Sequence, residues 1–293
     1  MPFGSYFLVP ATCLTVTGDK AAQLLHGQFT NSITDLKPGN GNYNLLLTNK
    51  GKILANLFIV NHGSDFLLVI PQEHATRIEE HLKKFAPLSR CAVENREADF
   101  SVLHVVNATT DFFSGCTAKN IFSYSNKRLG TSGCDVIFPH EDLSTLEAFL
   151  QKQSATKMMD SEVEMLRIKN GVCRIGIDAT EENLPQEARL DSTLHFNKGC
   201  YLGQEVIARL HFRGHVNKIL CCFESLERNI SSGEDILDAD KVVGHITSAV
   251  FDESEQKSYA LGYVPFVLKI DGKKFLTGTQ KVPLTLNIKE MIL

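Results

Sequence analysis

The sequence predicts an α+β protein of several lobes that ends in a small β-barrel. Three observations carry that expectation. Strand-like and helix-like segments alternate through the chain up to the region before Ile219, and from there only short β-type runs follow. The length of 293 residues corresponds to about two domains of ~150 residues, or three small ones. Hydrophobic residues are 43% and charged residues 22% of the chain, which excludes a disordered, fibrous or coiled-coil protein. A chain of this length buries enough surface to fold without a disulfide or metal staple.

The elements follow in order. Leu14-Thr15-Val16-Thr17 is a β-rich run; Gly18 turns the chain, and Asp19 offers an N-cap to a helix whose Ala21, Leu24, Leu25 and Gln28 share a face. Residues 43–108 form one α+β unit, with strands at 44–48, 53–60 and 66–70. Asn49-Lys50-Gly51-Lys52 is a hairpin signal between the first two. A helix over 72–85 gathers Ala75, Ile78, Leu82 and Phe85 on one side and stops before Pro87; strands at 91–94 and 100–106 complete the unit. Further on, strands are expected at 121–124 and 136–138 and a helix over 141–153. Another helix is marked by a Ser161/Glu164 capping box and ends at Asn170-Gly171. The last runs, 219–224, 242–247, 259–264 and 284–288, supply the barrel.

Charge and composition narrow the function. Lys plus Arg is 30 against 34 Asp plus Glu, a net −4, whereas a protein that lives on nucleic acid carries a net basic domain. Stable nucleic-acid binding is therefore not expected. No apolar run approaches the ~18 residues of a membrane helix, and the N-terminus lacks the basic region of a secretory signal. Eight cysteines without CxxC or Cys/His spacing suit a reducing, cytoplasmic compartment rather than a disulfide scaffold. No GxGxxG, Walker A, GxSxG or HExxH motif is present. His211 and His215 bracket Arg213-Gly214, a poor frame for a metal-bearing helix, so no metal site is expected. Cys221-Cys222 open a β run and point to opposite faces, at least one of them into a core.

The chemistry concentrates in residues 183–218. Cys200 has Gly199 before it and Gly203 after it, which permits a tight, open loop. Lys198 and the start of a short helix over 204–209 favour the thiolate there, and Glu205 opposes it. Taken alone, the same pattern fits a small cysteine packed under a loop. Pro185 fixes the chain before Glu187, a carboxylate able to accept two parallel hydrogen bonds from an amino-pyrimidine edge such as a pterin; on spacing alone a solvated helix-start glutamate is the better fit. Arg209, His211, Arg213, His215 and Lys218, with Phe212 among them, form a basic loop suited to an anionic tail, or simply a solvated charged loop.

The segment Lys198-Gly199-Cys200-Tyr201-Leu202-Gly203-Gln204-Glu205-Val206-Ile207-Ala208-Arg209 is preceded by Leu184-Pro185-Gln186-Glu187-Ala188 and followed by Phe212-Arg213-Gly214-His215-Val216-Asn217-Lys218. Together these resemble the signature of the YgfZ-type proteins, the folate-binding branch related to the aminomethyltransferase T-protein of glycine cleavage. Supporting similarities run along the chain: residues 14–19 and His26-Gly27-Gln28-Phe29-Thr30-Asn31, the hairpin at 47–54, Arg167-Ile168 with Gly171 and Gly176-Ile177-Asp178, Val243-Gly244 to Ser248, and Ala260-Leu261-Gly262-Tyr263.

The resemblance implies a three-lobed, ring-like α+β arrangement with ferredoxin-like lobes and a small C-terminal β-barrel. On that plan residues 1–42 plus 109–216 make a discontinuous folate-site lobe, 43–108 a ferredoxin-like lobe and 217–293 the barrel. It implies tetrahydrofolate or a derivative as ligand and iron–sulfur client enzymes as partners, some of them acting on tRNA, for a monomeric protein. Cys200 is carried over as the acting residue. Glu187, Lys198, Tyr201, Gln204, Arg209 and Arg213 are carried over as folate contacts, and Gly199, Gly203 and Glu205 as the rest of the motif. The chain has no tryptophan, whereas some relatives place tryptophans at the folate site, so stacking on a pterin falls to Phe or Tyr. Two other functions compete: an aminomethyltransferase acting on a lipoylated carrier, and a scaffold in which Cys200 is structural.

Overall fold

A computed structural model describes residues 4–288. Two sheets pack face to face with helices outside. The five-stranded sheet has the order β3 (Gly41–Leu47), β4 (Ile53–Asn61), β5 (Phe66–Pro71), β2 (Ala11–Thr17), β6 (Ala92–Asn95). The four-stranded sheet has the order β1 (Tyr6–Val9), β7 (Phe100–Val106), β9 (Gly133–Pro139), β8 (Phe122–Asn126). All the pairings are antiparallel.

Strand alternation explains the layering, because successive side chains face opposite ways. Leu14 and Val16 of β2 join Leu24, Leu25, Ile78 and Leu82 beneath α1 (Ala21–Gln28) and α2 (Ala75–Phe85). Cys13, pointing to the opposite face of β2, joins Phe58, Val69, Val102, Tyr124 and Ile137 in the core shared by the two sheets. The outer face of the second sheet, Leu103, Val105, Val136 and Phe138, is covered by Leu146 and Leu150 of α3 (Leu143–Lys152). β2, from before residue 43, is thus an interior strand of the five-stranded sheet, and β7 belongs to the other one.

The C-terminal region is a closed barrel, β10 (Lys218–Ser225), β13 (Lys257–Pro265), β12 (Lys241–Asp252), β11 (Asp235–Asp238), β14 (Lys274–Thr277) and β15 (Val282–Asn287). The expected barrel is therefore present within a mixed α/β architecture. Cys221 faces the barrel interior and Cys222 the core outside it, as alternation requires. α4 (Asp160–Lys169) ties the barrel down. Buried Arg167 donates to Asp178 Oδ2 at 2.6 Å and to Ser248 Oγ of β12 at 2.9 Å.

Two local expectations are corrected. α4 begins at Asp160, with Met159 as N-cap and Glu162 accepting the Met159 N–H at 2.7 Å. Ser161 and Glu164 do not form the box, because the Met158 N–H is still held by the Tyr6 carbonyl and the chain turns into helix immediately afterwards. Glu164 instead accepts from Arg167, one turn on. The supposed basic loop is also largely helical: α5 runs from Gln204 to Arg213, so Arg209, His211 and Arg213 lie on a helix rather than in a loop.

Candidate functional site

Residues 173–207 fill the junction between the end of β3–β4, α4 and the barrel. Cys173, Ala188, Leu190, Tyr201 and Ile207 share one core with Leu45, Ile53, Leu220, Leu261 and Tyr263. The turn carrying Glu187 is fastened on three sides. Asn183 O accepts from Ile53 N at 3.1 Å, Glu187 O accepts from Leu220 N at 2.8 Å, and Gln186 Nε2 donates to Ile207 O at 3.1 Å. Glu187 itself is 8% exposed, and its Oε2 accepts from Leu184 N at 2.8 Å. Among the described residues no cation pairs with it.

The surroundings hold an unusual number of buried polar atoms without partners. They are Gln186 Oε1, Tyr201 OH and Tyr263 OH, with His195 Nδ1 further along. Burial pushes the Tyr201 phenol up to about 12. Tyr263 is raised further, by burial first and then by neighbouring Cys173, Glu187 and Asp178. Buried polar groups are ordinarily satisfied, so these unpartnered oxygens have room for hydrogen-bond partners that the described residues do not supply.

A cavity of about 590 Å³ opens nearby, with Tyr43, Asn56, Phe58, Arg128 and Cys173 in its wall. Arg128 is fixed there: its Nε and Nη2 donate to Asp135 at 3.1 and 2.5 Å, and the guanidinium lies 4.8 Å from the Phe58 ring centroid. Cys173 links this wall to the Glu187 side, since it neighbours both Tyr43 and Tyr263. Burial, with Asp178 nearby, drives its thiol well above the usual range, so it is inert. None of the residues expected from the sequence lines the cavity. Tyr43, Asn56, Arg128 and Cys173 come from four separate elements, and no spacing in the sequence announces them.

The motif itself divides into an inner and an outer part. Lys198 turns inward. Its Nζ donates to His26 O, Phe29 O and Asn31 O at 2.6, 2.6 and 2.7 Å and lies 5.0 Å from the Tyr201 ring centroid. These carbonyls close the C-terminal end of α1, where orphan acceptors and the helix dipole favour a cation. Burial pulls the lysine's pKa down to about 7, a cost the three acceptors offset in part. All three of these hydrogen bonds go to the end of α1, and none goes to Cys200.

Tyr201 is 7% exposed and part of the core. Gln204 folds back, its Oε1 accepting from Tyr201 N at 3.2 Å, and so closes the turn before α5. Cys200 is outside and exposed; of the eight free cysteines it is the one that is fully so. Glu205, Arg209, Phe212 and Arg213 share the exposed side of α5, and among the described residues Arg209 and Arg213 make no ion pair. His211 stacks on Phe196 with centroids 3.7 Å apart, and His215 meets Phe266 at 5.7 Å, so the two rings have separate aromatic partners. Among the described residues no three His, Cys, Asp or Glu side chains gather to hold a metal, and no helix is long and apolar enough to cross a membrane.

Several known proteins are similar to this chain. The family described as GCVT N-terminal domain matches residues 11–109. The iron-sulfur cluster assembly factor IBA57 homolog, mitochondrial, of Coccidioides immitis is 27% identical over 73% of this chain and 55% of its own. The tRNA-modifying protein YgfZ of Vibrio atlanticus is 23% identical over 80% of this chain and 73% of its own. The chain thus spans about half the length of the fungal relative. The crystal structure of glycine cleavage system aminomethyltransferase T from Bartonella henselae superposes with a TM-score of 0.83, covering 99% of this chain and 86% of that one at 19% identity. That likeness establishes the fold.

Proposed function

We propose that this chain, a YgfZ-type protein related to aminomethyltransferase T, is a tetrahydrofolate-binding accessory factor that serves iron–sulfur client enzymes, in assembly, insertion or repair of their clusters. The observation that carries the reading is Glu187: a buried carboxylate without an ion pair among the described residues, next in sequence to Gln186 and near Tyr263, whose side-chain oxygens lack partners; Tyr263 also neighbours Cys173, which lines a 590 Å³ cavity. An amino-pyrimidine edge offers two parallel donors to such a carboxylate, and the cavity walls of Tyr43 and Phe58 offer aromatic faces where tryptophan is absent. Cys200 and Tyr201 are neighbours in sequence but face outward and inward, so a folate held inside and a client docked outside would meet across the motif. Arg209 and Arg213 are assigned to an anionic group beyond the loop, a polyglutamate tail included.

The relatives' names support the client side: one is called a cluster assembly factor and another tRNA-modifying. Effects on tRNA modification would then pass through client enzymes, and no stable nucleic-acid complex is proposed. Eight free cysteines suit a cytoplasmic setting, and the protein is proposed to act as a monomer. The competing activity, aminomethyl transfer from a lipoylated carrier, is supported by the shared fold, by the family match and by relatives named aminomethyltransferase, such as that of Xylella fastidiosa, 25% identical over 87% of this chain.

Two assays decide between them. Cells lacking the gene should regain client-enzyme activity with the wild-type chain and not with Cys200→Ala, although that variant folds and binds tetrahydrofolate. Purified protein given aminomethyl-lipoyl carrier and tetrahydrofolate should release no ammonia. Turnover there, or full rescue by Cys200→Ala, overturns the proposal.

A further inference from the structure

The end of α5 and the short turn Phe266–Leu268 after β13 make one exposed surface. Leu210 and Leu268 point inward and pack against the barrel core. Their neighbours point outward: Phe212 is 68% exposed, Val267 76% and Ile270 57%. The two segments are joined at several points. Phe266 N donates to Asn217 O at 2.9 Å, the His215 and Phe266 rings lie 5.7 Å apart, and Asp191 is a charge neighbour of both His211 and Lys269. Phe196 extends the strip on the helix side, stacked on His211 and edge-on to Phe212 at 6.1 Å. Large apolar side chains that are exposed as a group, not singly, mark an interaction surface.

The strip is also basic. Arg209 and Arg213 are exposed and make no ion pair among the described residues. With Lys269 they outnumber Asp191 and Glu205, on a chain whose net charge is −4. Such a strip is complementary to a protein that offers carboxylates around an apolar side chain, and aromatic and arginine side chains carry much of the energy at protein interfaces. Two other occupants fit less well. A second copy docked symmetrically sets the same arginines against each other, at a cost. RNA could use the rings and the arginines, but it has no use for Val267 and Ile270, and one face of Phe196 is already covered by His211.

We propose that this strip is where an iron–sulfur client protein docks, through an acidic surface whose apolar centre rests on Phe212 and Val267. The proposal relies on the reading that the protein serves such clients. It narrows the anionic group assigned to Arg209 and Arg213 to carboxylates of the client.

The test is rescue of cells lacking the gene, read as client-enzyme activity, with the wild type, Phe212→Ser/Val267→Ser, Arg213→Glu and Leu88→Ser. Leu88 is the control, 82% exposed beside α2 and outside the strip. The double variant and Arg213→Glu should restore less than about a tenth of the wild-type activity, and Leu88→Ser all of it. Each chain should melt as the wild type does, because exposed side chains contribute little to stability. The double variant should also bind tetrahydrofolate with wild-type affinity. Full rescue by the double variant or by Arg213→Glu, or an equal loss in Leu88→Ser, overturns the proposal. So does a folate affinity that falls in the double variant, which gives the strip to the small ligand. A tRNA complex or a concentration-dependent dimer that forms with the wild type and is lost in the double variant gives it to RNA or to a second copy. If the folded wild type itself restores nothing, the client reading has failed and the docking surface falls with it.

Discussion

A Cβ built on Gly203 would fall 2.4 Å from the carbonyl oxygen of Thr48, and Gly203 holds φ at +82°. The motif loop is therefore seated directly on the β3–β4 hairpin. Gly51, at φ +73°, completes the seat, with Ile207 and Val206 atoms 3.2 Å from its would-be Cβ. Two segments far apart in sequence are one contact in the structure. Gly203→Ala adds both left-handed strain and a backbone clash, so it should cost about 2–4 kcal/mol. Chemical denaturation checks this, and the variant should also lose the ordered presentation of Cys200.

Lys198→Met keeps the length of the side chain but leaves three carbonyls at the end of α1 without their donor. It should destabilise the protein by about 2–3 kcal/mol, the scale for hydrogen bonds to a charged group. Amide exchange should show faster opening in residues 26–31. Unchanged stability would mean that the lysine is free to serve a ligand after all.

Cys200 should be the first of the eight cysteines to react, because it is exposed while five are buried and two half-buried. Cys173 should remain silent until unfolding, since burial disfavours its thiolate. Peptide mapping after limiting iodoacetamide measures both. A Cys200 that stays unmodified in the native protein would make it a structural residue.

Acid should unfold the protein through the Asp135 network. Burial raises this carboxyl's pKa, but Arg128 and the His104 hydrogen bond outweigh it and hold it well below the usual range. The unfolded state therefore binds the proton first as pH falls, and the stability Asp135 contributes above about pH 4 is lost below it. His104, whose pKa is lowered chiefly by burial, acts in the same direction once the pH falls below about 6.5. Asp135→Asn should lose about 3–5 kcal/mol at pH 7, because it leaves a buried cation unpaired. Its stability should then depend less on pH below 4.

Much of this fold was legible because it is local. The apolar face of α2 at Ala75, Ile78 and Leu82, the hairpin at 49–52 and the stop at Asn170-Gly171 need only spacing and turn chemistry and lie where the sequence places them, although Phe85, expected on that face, is exposed at the helix end. β1, β11 and β14 escaped because each has only four residues. β1 is defined by pairing with distant β7, and β11 and β14 by closure of the barrel. α5 runs past its expected end because charged residues such as Arg209 and Arg213 fit a loop as well as a helix, whereas Ile207 and Leu210 anchor the helix inward.

The site was legible in its residues and not in their directions. The motif located Cys200 and Glu187, but nothing in its spacing tells that Lys198 points into α1 or that Gln204 closes its own turn. The cavity was invisible for a different reason. Arg128 becomes part of its wall only through Asp135 on the neighbouring strand and the ring of Phe58 from the other sheet.

Glu187 is proposed to receive the pterin end of a reduced folate. Anaerobic isothermal titration of wild type, Glu187→Gln and Glu187→Ala with tetrahydrofolate tests it most directly. Saturable binding to the wild type should weaken by about 1.5–3 kcal/mol in Glu187→Ala, the value of a hydrogen bond to a charged group, with Glu187→Gln in between and all three proteins folded. Absence of binding to the wild type, or equal affinity in all three proteins, would contradict the account.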